Sequence, residues 1–446
     1  MSNNLKFMEM NYREVACQKA VNGTSFTQGL QDFNWSVGYP VSWIPSPTYM
    51  RLTIQANSDA PGGGGSVVQP VLADRFAFAE NAANNIYNNV YLRAGQQDIS
   101  SIINYSPQAS MLKHRITKPG ALLTYVGKSV YMLNADFSDR QNLIIANALL
   151  TDPQTRGYNR NVIDIIFQPG ALGIWDYNNV MPSGDYRLSL NPTTQILNAI
   201  QANPTYLSGQ PPAPPAPAQA AYVNVIDVKM YLCTVRVTEQ ISEQVTFNSN
   251  LPEYFIAQKP FGTAASGTYD FTVPSSTYML AFFLQSGNAG VPTGNVPNRI
   301  ALSTFTTTGQ DELKVVSYQM TYANQTKPST RWSTAYSVTP SVAAGVNANV
   351  LNEFQTRYFN NIVENDLYMN PGGAESMTDY LTRGPFYLHS FIRDKDDKST
   401  QVQLALELNA AASDVNTQVF LVAIYNRETE IKTEAGRIQS VRSLNT

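Results

Sequence analysis

The sequence predicts an all-β protein built as two tandem antiparallel sandwiches, and three observations carry that expectation. Apolar and polar residues alternate over short runs bounded by Gly, Pro, Asn and Asp along the whole chain, as half-buried antiparallel strands do. Segments with a helical period are few and short. One order of elements, helix followed by three strands, also occurs twice.

The runs are, in order, Tyr49–Ala56, Ile86–Arg93, Leu122–Leu133, Val162–Phe167, Tyr186–Leu190, Val223–Val237, Tyr269–Val273, Tyr278–Gln285, Leu313–Tyr322, Phe386–Ile392, Gln401–Leu408 and Thr417–Tyr425. So many strands with little helix between them favour packed sheets over an alternating α/β fold. Helical spacing is expected over Asp98–Arg115, where Ile99, Ile102, Ile103 and Met111 share a stripe interrupted by Pro107. A cleaner stripe (Val350, Leu351, Phe354, Tyr358, Ile362) marks Asn347–Glu364, and Ser138–Leu150 opens with an N-capping serine.

The repeat sets the domain organisation. Leu-x-Leu-Asn stands at Leu188–Asn191 and again at Leu406–Asn409. Each copy is followed by a long apolar strand with a charged exit, Val225–Glu239 and Thr417–Glu430, and preceded by another strand within Val162–Trp175 and Pro385–Ile392. The predicted units are a first sandwich over 1–238, a second over 239–430 and a C-terminal tail over 431–446. Two eight-stranded jelly rolls with a few short helices in the loops suit this pattern. Pro211–Ala220 favours a stiff, solvated polyproline II segment; the repeat places it as a loop insertion (204–221) between the last two strands of the first unit. Pro61–Ser66 (PGGGGS) reads as a flexible loop.

Composition narrows the function classes. The 446 residues are about three times a typical ~150-residue domain. Only 14% are charged, against about 25% in ordinary soluble domains, while Tyr numbers 25 and Phe 19. A net charge of −3 argues against a surface that coats nucleic acid. With no long apolar run and no signal-type start, a soluble chain folded in the cytosol or nucleus is expected. Cys17 and Cys233 read as free thiols.

The chemistry-bearing residues are sparse. His114 stands with Lys113, Arg115 and Lys118 at a helix C-terminus, where cations complement the dipole; the group reads as a solvated or intersubunit patch. His389 sits in an alternating strand and reads as a packed or interface histidine. Asp394–Asp397 reads as a charged hairpin turn, since it lacks the regular oxygen spacing and glycine of a calcium loop. No zinc-protease, nucleophile-elbow, phosphate-loop or Cys-x-x-Cys motif occurs. No catalytic, cofactor-binding or metal residues are expected. Trp43, Trp175, Trp332, Phe282, Phe283, Phe386 and Tyr387 are read as core and interface filler.

Four segments carry a family resemblance: Val90–Arg115, Pro169–Asn191, Gly384–Leu408 and Val419–Glu428. They resemble a strand with its helix-bearing loop, a polar Pro-Gly turn between penultimate strands, and the three closing strands of the double jelly-roll major capsid proteins of tailless icosahedral double-stranded DNA viruses. The likeness is greatest to those of virophages and polinton-like viruses. It implies a homotrimer of pseudo-hexagonal outline that tiles a virion shell, assembled in host cytoplasm or nucleus. The implied partners are further copies and penton or other minor capsid proteins, with no sequence-specific nucleic acid and no transmembrane segment. It also implies that Pro204–Ala221 faces outward and that the tail lies beneath the shell, with Arg437, Ile438, Val441, Arg442 and Leu444 as its contacts. Two other classes remain open at this point: a penton-type, receptor- or glycan-binding sandwich protein, and a carbohydrate-active enzyme on a jelly-roll scaffold.

Overall fold

A computed structural model describes residues 7–18, 30–58, 76–78, 81–117, 162–192, 200–202, 221–237, 244–285, 315–333, 386–391, 398–408, 417–434 and 437–443. The expected helices at 138–150 and 347–364, the strand at 122–133, the turn at 394–397, Leu444 and almost all of the 204–221 insertion lie outside these residues. So does the junction near residue 239.

The first sandwich contains β1 (Phe7–Ala16), β2 (Gln31–Val37), β3 (Val41–Trp43), β4 (Tyr49–Ser58), β5 (Phe76–Phe78), β6 (Tyr87–Ala94), β7 (Gln97–Ile102), α1 (Ser106–Thr117), β8 (Val162–Phe167), β9 (Gly184–Pro192), β10 (Ile200–Ala202) and β11 (Ala221–Val237). The second contains β12 (Gln244–Pro260), β13 (Ser266–Thr272), β14 (Thr277–Gln285), β15 (Val315–Tyr322), β16 (Gln325–Ser333), β17 (Tyr387–Ser390), β18 (Gln401–Leu408), β19 (Gln418–Glu434) and β20 (Arg437–Ser443).

Hydrogen bonding repeats the same strand order twice. One sheet of the first sandwich runs β1-β11-β4-β8 and its partner β2-β9-β6-β7; the second sandwich has β12-β19-β14-β17 and β13-β18-β15-β16. Numbering the eight main strands of each unit by position, both units therefore read 1-8-3-6 over 2-7-4-5. That is the jelly-roll order, with every described pair antiparallel. The Leu-x-Leu-Asn copies fall on the equivalent strands β9 and β18, where Leu188, Leu190, Leu406 and Leu408 point into their cores. In the first unit the connection carrying the Pro-rich stretch contributes β10, which pairs with β5 from the β4–β6 connection.

Three expectations are corrected. The helix expected over 98–115 is a strand and a helix in succession, because positive-φ Asn104 and Tyr105 turn the chain between β7 and α1. Pro107 then occupies the first helical turn, where its missing N–H costs nothing. The cations Lys113, His114 and Arg115 are each only 4% exposed rather than solvated. Lys113 reaches the Asp176 carboxylate at 2.7 Å and the Leu172 carbonyl at 2.8 Å, and the Arg115 guanidinium lies 4.7 Å above the Phe386 ring. The tail expected from 431 onward is sheet: β19 runs through Glu434, and β20 pairs back on it with Val441 buried. The long β12 supplies the reason, since its first half offers ladder partners to residues 428–434.

Candidate assembly interface

The two sandwiches share a core. On β19, Val419, Leu421 and Ala423 face the second unit's own interior, while Phe420, Val422 and Ile424 join the cluster that fills the first unit. β14 divides the same way: Leu280, Phe282 and Leu284 on one face, Met279, Ala281 and Phe283 on the other. The β12-β19-β14-β17 sheet is thus apolar on both faces, and its central strands β19 and β14 read as unbroken apolar runs for that reason.

The seam closes on β7, α1 and the 3-10 turn at Gly173–Asp176. Tyr105 meets Phe420 edge-on at 5.2 Å and Tyr177 meets Phe247 at 5.1 Å, geometries favoured by ring quadrupoles. A Cβ at residue 173 would collide with the Pro252 carbonyl, so only glycine lets the turn lie against β12. Ile438 of β20 sits over Gly184 of β9, which has φ +150° and no room for a side chain. Polar ties cross as well: Gln108 donates to Gln285 at 3.1 Å and Arg427 donates to the Asp98 carbonyl at 3.0 Å.

The equivalent sheet of the first sandwich has a different outer face. Tyr49 stacks on Tyr231 at 5.2 Å and packs against Tyr12 at 5.6 Å. Arg51 reaches Asp227 at 3.7 Å and lies 5.9 Å over the Tyr231 ring, and Lys229 reaches Glu14 at 3.1 Å. Met10 and Tyr12 are each 53% exposed, and Ile166 is also exposed. Tyrosine, methionine and arginine, all present on this face, are enriched at protein interfaces.

No catalytic constellation emerges from the described residues. His389 holds its Nε2 2.7 Å from the Tyr318 hydroxyl, and burial aided by Lys327 lowers its pKa to about 4, so the ring is neutral at physiological pH. An open pocket of about 440 Å³ beside β1 and β9 carries Arg13, Arg93 and Arg187, but Arg187 is bidentate to Asp32 and Arg93 pairs with Asp98. Among the described residues no His, Cys, Asp and Glu group could hold a metal ion, and no helix is long and apolar enough to cross a membrane. Cys17 and Cys233 are both thiols outside any disulfide, the latter buried. Of the proposed tail contacts, Arg437 and Arg442 are exposed on β20, while Val441 is buried and Ile438 packs into the seam.

These sheets define a double jelly-roll protein. Neither a protein-family profile nor a curated relative matches the chain, but solved structures do. A chain of the Sputnik virophage is similar with a TM-score of 0.54 at 12% identity, covering 98% of this chain and 88% of that one. A capsid chain of the PBCV-1 virus gives 0.52 at 11%, covering 100% and 98%. The mavirus major capsid protein gives 0.50 at 10%, covering 99% and 93%. The likeness therefore extends over nearly the whole of each fold.

Proposed function

We propose that this chain is a viral major capsid protein, a structural protein that works by self-association and not by catalysis. The observation that carries this reading is the doubled jelly roll itself: one strand order repeated, with the second copy docked sheet-first on the first copy's β7–α1 side. The full-length likeness to virus capsid chains supports it.

The docking within one chain suggests how chains meet. The first sandwich presents a Tyr12–Tyr49–Tyr231 face on the sheet that is topologically equivalent to the docked one. A second chain offering its corresponding β16 side there would repeat the internal contact. Such a contact is head-to-tail, so it closes into a ring when the rotation permits. Three chains give six sandwiches and a pseudo-hexagonal capsomer, with β20 and its Arg437 and Arg442 free to reach neighbouring capsomers or minor capsid proteins in the virion.

Light scattering on the size-exclusion peak, with negative-stain images of the same fraction, tests this. The expected species has three times the 49.2 kDa chain mass and a hexagonal outline. A chain that stays monomeric at high concentration overturns the reading.

A further inference from the structure

Glu253 is a carboxylic acid placed where the two sandwiches meet, and capsomer formation does not account for it. It is 1% exposed on β12. One oxygen accepts the Ser100 hydroxyl of β7, and the other has no hydrogen-bond partner. The groups around it come from every element of the seam. Lys113 of α1 is held by Asp176 of the 3-10 turn and by the Leu172 carbonyl. Arg427 of β19 donates to the Asp98 carbonyl of β7, whose own carboxylate pairs with Arg93 at 2.6 Å. Tyr254 on the same strand, Tyr425 opposite it on β19 and Tyr278 on β14 add phenols that stay protonated, burial raising all three.

We propose that protonated Glu253 latches the two sandwiches of one chain together and that its ionisation loosens the seam. A neutral acid can remain in this pocket beside the Ser100 hydroxyl and the Gly173 N–H, whereas a carboxylate with an unsatisfied oxygen gains by reaching water. Desolvation outweighs the Ser100 bond, the two cations and the Gly173 backbone N–H, moving the acid from 4.5 up to about 7. The sign follows. Since the closed seam binds the proton more tightly than the open or unfolded chain, the stabilisation is complete below 4.5 and is lost as pH rises through about 7. Between pH 6 and pH 8 the opening equilibrium then rises about tenfold.

The test is urea unfolding of the full chain, at one fixed concentration, from pH 5.5 to 8.5, beside Glu253→Gln and Ser100→Ala. Other titrating groups act equally in all three, so the differences isolate Glu253. The parent is expected to lose about tenfold more in its folding constant than Glu253→Gln across pH 6 to 8. Ser100→Ala keeps the acid but lacks its donor, and its step moves to higher pH. This second variant also serves if Glu253→Gln does not fold. Parallel parent and Gln curves, or a step that Ser100→Ala leaves in place, overturn the latch. The seam lies within one chain, so a monomeric protein would sink the capsomer reading and leave this result standing on its own.

Discussion

The β1-β11-β4-β8 and β12-β19-β14-β17 sheets have one strand order and opposite outer faces. The second is apolar outside because the first sandwich covers it within the chain; the first carries tyrosines and paired charges there. A surface that is always covered can be as apolar as a core, whereas one that waits for another copy must remain soluble meanwhile. On the proposed reading, the difference between the two sheets is that between a permanent contact and one made after folding.

The largest way to break the comparison is to hollow out the covered face. Phe420→Ala removes the ring between Tyr105 and Phe283 and is expected to cost about 3–5 kcal/mol in urea unfolding; a loss under about 1 kcal/mol would mean that the sandwiches fold without their seam. Gly173→Ala pushes a methyl into the Pro252 carbonyl and is expected to cost about 1–3 kcal/mol, read as a lower melting temperature.

Acid probes the second unit's interior instead. Because His389 titrates near 4 when folded and near 6.5 when unfolded, its contribution is present above 6.5 and disappears as pH falls through 4. His389→Asn should flatten that part of the acid limb, a sign opposite to that of Glu253. The smallest effect on folding belongs to the waiting face. Tyr12→Glu, at a half-exposed position, should move stability by no more than about 0.5 kcal/mol. Light scattering should nonetheless show the trimer mass falling to one chain. An intact trimer would place the contact elsewhere.

Much of this contrast stands in the sequence. β8 and β18 have the bounds that alternation predicts, and the Leu-x-Leu-Asn repeat marks truly equivalent strands. The two-faced burial of β14 and β19 is also visible as unbroken runs, TYMLAFFLQ and QVFLVAIY, beside the alternating YMRLTIQ of β4; reading those runs as doubly buried strands would have located the seam. β12 escaped because Pro252 and scattered amides disguise it. As an edge strand laddered only to β19, it tolerates a proline that a central strand would not. The buried cations of α1 were illegible for another reason: only the fold brings Asp176, Leu172 and Phe386 to Lys113 and Arg115. β20 was missed because alternation with a single buried valine, in RIQSVRS, looks the same as a solvated tail.

The Tyr12–Tyr49–Tyr231 face joins β1 and β11, the first and last strands of its sandwich, which pair across nearly the whole unit. Contacts so distant along the chain form late and slowly. If this face is the proposed assembly contact, a nascent or half-folded chain has none to offer, and completion of each subunit's fold would set when copies can join.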